Sequence, residues 1–262
     1  MSEATNRFIE LMAQPEVTLP LDEAVLLVAA HRRPELDVAA ERGRLDELAA
    51  TCPGSDLESW RHHLFVAQGF SGNVADYYDP DNSFLDQVLT RRVGLPITLA
   101  VVGMEVGRRI GFPLAGVGMP GHFLLTPVHA LPRVWVDPFA GGRVLDRGDC
   151  EERFHAVNGA EAPFHEAYLD TVGPKAVLAR MLANLKAIYT RRGDLASLAW
   201  VYALRTSIPG VHPLERRELA QALGSSGRFV EAAAELEALA ELVPTARTQL
   251  LAEALALRAR LN

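Results

Sequence analysis

Cysteine is scarce: the 262 residues hold only Cys52 and Cys150. They lie far apart and match no metal-ligand or redox spacing, which argues against a disulfide framework and suits a reducing compartment. Only Lys175 and Lys186 among the 26 basic residues are lysines, and no Lys/Arg-rich block occurs. With a formal charge of −7 and a pI near 5.6, the chain has no global attraction for a polyanion, so no nucleic-acid partner is expected. Long apolar runs are missing too. The richest, Ala24 to Ala30 and Leu95 to Val106, are short or broken by polar residues, which predicts no membrane span. The first 20 residues are acidic, with no basic segment leading into an apolar one; no signal peptide and a cytoplasmic location are expected.

What is present suits a folded protein. At 49% hydrophobic and 23% charged residues, the chain can bury one substantial core and a smaller second one. Helical spacing of Phe8, Leu11 and Met12, an apolar stretch from Leu21 to His31, and Trp60, Leu64 and Phe65 predict a helical lead-in over residues 1–70. Gly69 to Ser83 is crowded with turn formers and reads as an ordered loop, followed by a helix over Phe84 to Arg92. Ile97 to Ile110 carries Leu99, Val102, Val106 and Ile110 on one stripe, with Pro96 suited to the first turn and Gly111 to the stop. Leu114 to Val117, Phe123 to Thr126 and Val134 to Val136 read as three antiparallel strands, with Val144-Leu145 as a possible edge. Cys150 to Ala162 reads as a polar, partly helical connection.

From Pro174 the pattern is helical to the end. Gly193 to Ala199 aligns with Gly227 to Ala233 at an offset of 34 residues, and Pro209 and Pro244 close the two units. A 34-residue period with a mid-unit Gly and a terminal Pro is the tetratricopeptide signature. The expected architecture is therefore α+β: a helical region over 1–70, a core of one helix on a small antiparallel sheet over 71–172, and helical repeats over 173–262.

The chemistry-bearing pair is His122, on a predicted strand, and Asp137, fifteen residues later at the end of the next. Adjacent antiparallel strands bring such residues side by side, so Asp137 can hold the imidazole in one tautomer, as in a nucleophilic triad. A buried structural pair is the competing reading. His62-His63 are consecutive on a helix and diverge, which makes a poor metal site. Cys150 sits among Asp146, Asp149, Glu151 and Glu152, which should raise its pKa. In the turn-rich loop, Tyr77, Tyr78 and Asn82 are the candidate cleft contacts.

Four ordered motifs make the pattern specific: Tyr77-Tyr78-Asp79-Pro80-Asp81-Asn82-Ser83-Phe84-Leu85, Arg91-Arg92-Val93-Gly94-Leu95-Pro96-Ile97-Thr98-Leu99, Pro120-Gly121-His122-Phe123-Leu124 and Asp137-Pro138-Phe139. With the repeat tail they resemble the SirB1 family of bacterial transglutaminase-like proteins, over roughly Leu21 to Pro244. The resemblance implies a papain-like α+β core in which His122 and Asp137 match the catalytic His and Asp. It also implies that the helix ending in Gly111-Phe112-Pro113 is similar to one that begins with the catalytic Cys in active enzymes. That position falls at Pro96 or an immediate neighbour, and no residue from Val93 to Leu99 is a cysteine.

The expectation is a noncatalytic module that binds a protein or peptide through its cleft or its repeat tail, with no cofactor and no metal. The alternative is an acyl-transfer or amide-hydrolysing enzyme with an unconventional nucleophile. Thr98, in the first helical turn, is a candidate, although a β-branched hydroxyl there more often caps or packs.

Overall fold

A computed structural model describes residues 2–129 and 131–260. The chain divides into two units: residues 16–181, and residues up to 15 together with those from 182 onward.

The second unit is all-helical. Its first helix, α1 (Glu3–Met12), is capped by Ser2 and buries Phe8, Leu11 and Met12, the stripe read from sequence. In the 16–181 unit, α2 (Leu21–Ala30), α3 (Val38–Ala50) and α4 (Leu57–Arg61) follow, α4 running into a π-helical turn (His62–Ala67). Strand β1 (Ser71–Gly72) lies inside the stretch expected to be an ordered loop and pairs in parallel with β2 (Val93–Gly94). Between them lies α5 (Leu85–Arg91). Next comes α6 (Pro96–Arg109), with Pro96 in its first turn and eleven of its fourteen residues buried.

Helix α6 is central because it is covered on both sides. Helices α2, α3 and α5 pack on one side, and β3 (Leu114–Val117) and β4 (Leu124–Pro127) on the other. Asp22 of α2, 1% exposed, ties this layer together: Arg42 of α3 reaches it at 3.1 Å and Arg109 of α6 at 2.7 Å. The sheet continues with β5 (Trp135–Asp137), β6 (Arg143–Leu145) and β7 (Thr171–Val172), in the order β6-β5-β4-β3-β7 with every pair antiparallel. Helix α7 (Arg147–Asn158) begins with a reciprocal Asp146/Asp149 capping box and buries Cys150 and Phe154 with Val117, Leu124, Trp135 and Leu145. Alternation along the strands leaves Gly116 and Leu125 for α6: a Cβ on Gly116 would lie 3.6 Å from the Met104 sulfur, and one on Gly103 2.8 Å from Leu125.

Helix α8 (Pro174–Arg192) contains the division between the units. Beyond it, α9 (Leu195–Arg205), α10 (Glu215–Ser225), α11 (Phe229–Leu242) and α12 (Arg247–Ala259) pack each on the next, and α1 packs on α9. The lead-in expected over 1–70 is thus divided. A ten-residue amphipathic helix needs a partner for its apolar stripe, and α1 finds it on α9.

Candidate functional site

His122 does not lie on a strand, as the sequence suggested, but in the β3–β4 turn, two residues before β4. Its N–H donates to the Met119 carbonyl at 3.1 Å. Arg180 of α8 clamps this turn, Nη2 donating to the carbonyls of Met119 (2.8 Å) and His122 (2.7 Å). Asp137 ends β5. Because Leu125 pairs with Val136, extending the register sets His122 and Asp137 diagonally on one side of the ladder.

The two side chains meet. Nε2 of His122 lies 2.9 Å from Oδ1 of Asp137, and both residues are buried, at 6% and 0% exposure. Arg153 of α7 approaches the other carboxylate oxygen to 2.9 Å. Neither contact is aligned as a hydrogen bond, so both act as charge contacts; the directed hydrogen bonds to Asp137 are the amides of Phe139 (3.0 Å) and Ala140 (3.1 Å). Burial alone would raise the Asp137 pKa. The His122 contact, the Arg153 charge and the Ala140 amide outweigh it and hold the carboxyl below its ordinary range. With Nε2 turned to Asp137, only Nδ1 remains for a ligand, and it makes no hydrogen bond among the described residues.

Phe139 joins this pair to the loop. Its ring stands edge-on to His122 at 6.3 Å and to Tyr77 at 5.8 Å, while Tyr77 meets Tyr78 at 5.3 Å. Its carbonyl accepts the Gly72 amide at 3.1 Å, and its ring fills the space a Cβ on Gly72 would need. Tyr77 and Tyr78 are 39% and 53% exposed. Asn82 has another role: fully buried, it donates to the carbonyls of Asp76 (2.7 Å) and Tyr77 (3.2 Å) and accepts from Asn73 (2.9 Å). It shapes the loop that presents Tyr77.

Helix α6 descends as β3 ascends. Gly107 sits against Leu114, and Met104 against Gly116, so the first turn, Pro96 to Thr98, lies at the end of the sheet that carries His122. Pro96 and Thr98 are both buried, and Thr98 Oγ1 has no hydrogen-bond partner among the described residues. Neither thiol is there. Cys150 is in the core under α7, where burial and then the charges of Asp149, Asp146 and Asp137 push its pKa up to about 12. Cys52 lies between α3 and α4 and donates to the Gly54 carbonyl at 3.3 Å. His63 is buried against the Leu48 carbonyl at 2.8 Å while His62 is exposed; the described residues contain no group of three or more metal-type side chains. Nor is any described helix long and apolar enough to cross a membrane.

Sequence reasoning missed Arg153, Arg180 and the bridging role of Phe139. The capping pair Asp146/Asp149 was the available signal for α7 and hence for Arg153. Nothing local marks Arg180, which acts 58 residues from His122.

Comparison with known families matches residues 28–183 to the transglutaminase-like superfamily. A UPF0162 protein of Xylella fastidiosa is 40% identical over 197 residues, 69% of each chain. A UPF0162 protein of Pseudomonas aeruginosa is 34% identical over 188 residues, 68% of each. Mouse F-box only protein 21 is 32% identical over 145 residues, covering 52% of this chain and 22% of its own. No solved structure matches significantly. With its family match spanning more than half the sequence and a helix-on-sheet core that joins His122 to Asp137, the chain belongs to the transglutaminase-like superfamily.

Proposed function

We propose that this protein is a noncatalytic transglutaminase-like module that binds a protein or peptide in the cleft walled by His122, Phe139 and Tyr77. One observation carries the reading: a His–Asp pair with an open Nδ1 accompanies a helix start that holds Pro96, while both thiols lie elsewhere. Without its nucleophile a triad loses on the order of a millionfold in rate. The remaining groups still recognise: imidazole Nδ1 offers a polar anchor, and Tyr77 and Phe139 offer aromatic walls for side-chain contact.

The helical unit is read as two tetratricopeptide-like repeats of the SirB1 kind. Gly193 and Gly227, 34 residues apart, both take left-handed conformations (φ +65° and +79°) at the turns before α9 and α11. The two free cysteines suit a reducing cytoplasm.

The test pairs two assays on the full chain. Selection from a displayed random-peptide library should yield binders whose affinity falls roughly tenfold in Tyr77→Ala, while incorporation of a fluorescent amine into a glutamine-rich protein stays at buffer level. Incorporation that disappears in His122→Ala with the fold intact would instead establish an enzyme. That second reading has an observation behind it: Thr98 Oγ1 sits unpartnered in the first turn of α6, where a hydroxyl nucleophile would stand.

A further inference from the structure

The cleft is not electrically neutral. Asp137 is matched by Arg153, and that pair of charges cancels. Arg180 has no such match. It is half-buried at the turn carrying His122, and among the described residues no carboxylate pairs with it. Four other arginines of the same unit have a carboxylate, Arg33 with Asp86, Arg91 with Asp79, Arg109 with Asp22 and Arg153 with Asp137, whereas Arg92 over Phe70 and Arg133 over Trp135 share with Arg180 an aromatic ring and, among the described residues, no carboxylate. Keeping a cation in a partly desolvated place without a counter-charge is costly.

The geometry leaves Arg180 with capacity to spare. Nη2 is used by the carbonyls of Met119 and His122, and the guanidinium lies over Phe123 at 5.6 Å; Nη1 and Nε make no hydrogen bond among the described residues. Burial lowers the Arg180 pKa, and the Tyr77 phenol acts against it. Burial likewise raises the Tyr77 pKa, and the Arg180 charge partly offsets that. Arg180 is tied to the site by its bond to the His122 carbonyl, and His122 leads through Phe139 to Tyr77.

We propose that the cleft selects a carboxylate on its ligand, with Arg180 as the pairing cation and His122 Nδ1 as the second polar contact. The inference rests on the reading of the site as a binding cleft. One uncompensated positive charge matches one negative charge, whereas a phosphate dianion would leave the site net negative. Nη1–H and Nε–H point along different edges of the guanidinium, so each offers a single charge-assisted hydrogen bond to a carboxylate oxygen. The carboxylate has two possible sources, the ligand's C-terminus or an Asp or Glu side chain.

The experiment uses three N-acetylated random hexapeptide pools on immobilised full-length protein, read by mass spectrometry. One pool ends in a free acid and lacks Asp and Glu, one ends in a carboxamide and contains them, and one ends in a carboxamide and lacks them. Retention of the first or second pool roughly tenfold above the third is expected and identifies the source. Arg180→Gln should bring the favoured pool down to the level of the third; if that variant misfolds by circular dichroism, the wild-type comparison decides alone. Equal retention of all three pools overturns the carboxylate inference and leaves the cleft-binding reading standing. Retention of none overturns both.

Discussion

Nε2 of His122 and Oδ1 of Asp137 stand 2.9 Å apart because the pairing of Leu125 with Val136, carried to the ends of β4 and β5, makes the two residues diagonal neighbours. The backbone thus fixes the pair before any side-chain choice, with Nε2 turned to Asp137 and Nδ1 left open. Arg153 and two backbone amides complete the shell around a carboxylate with no exposed surface.

Removing that carboxylate should be severe. Asp137→Ala strands Arg153 and the amides of Phe139 and Ala140, and a broken buried charge cluster costs about 3–5 kcal/mol. The folded-state pKa of Asp137 lies below its unfolded value, so its stabilising contribution is complete above the ordinary carboxylate pKa, near 4. It is lost as pH falls from there through the depressed folded value. Urea titrations of wild type and variant should therefore differ most above about pH 5 and converge in acid; a gap that grows on acidification would sink this account.

Gly72 and Phe139 should behave as a coupled pair. A Cβ on Gly72 enters the Phe139 ring, so Gly72→Ala must push the ring away from His122 and Tyr77, at about 1–3 kcal/mol. With Phe139→Ala already made, the obstacle is gone, and the same Gly72→Ala step should cost at least about 1 kcal/mol less. A double-mutant cycle in denaturant measures the difference. Strict additivity would mean that the contact does not set the position of the ring.

Much of this was legible in the sequence. Leu114 to Val117 is a strand at the predicted bounds, and α6 begins at Pro96, one residue before the predicted start, because a proline first turn and a Gly stop are local signals. His122 and Asp137 were identifiable because strand adjacency is a short-range property. The rest depended on partners far away in the chain. Strand β7 is two residues long and is recognisable only by its pairing with Gly116 and Val117. Helix α7 is polar on most sides, so its stretch read only as a polar, partly helical connection, and Arg153 was not singled out within it. Asn82 looked like a cleft contact because turn residues with amides often bind ligands; its amide instead closes the loop on itself.

Cys150 should be inert in the native state. Its pKa is raised from about 9 to about 12, first by burial and then by the nearby carboxylates, so almost no thiolate exists at neutral pH. Intact-mass alkylation at pH 7.5 should add one label, at half-buried Cys52, and a second only at the rate of global unfolding. Because the folded pKa is the higher one, the stability contributed by the protonated thiol is whole below pH 9 and declines as the pH rises from 9 through 12. Fast labelling of Cys150 that slows in His122→Ala would restore a thiol mechanism.

Thr98 separates the two readings of the site most cleanly. Its hydroxyl is fully buried and has no hydrogen-bond partner among the described residues, a cost of about 1–3 kcal/mol that folding must offset elsewhere. Thr98→Val keeps the β-branched shape inside α6 while removing that polar atom. If Thr98 only packs, the variant should gain about 1 kcal/mol of stability, raising the urea midpoint, and peptide retention by the cleft should not change. If the hydroxyl is a nucleophile, the midpoint still rises but any amine-incorporating activity disappears. A lower midpoint would mean that Oγ1 has a hydrogen-bond partner in solution, a water or a bound group at the helix start, and the site would then have to be reconsidered around that partner.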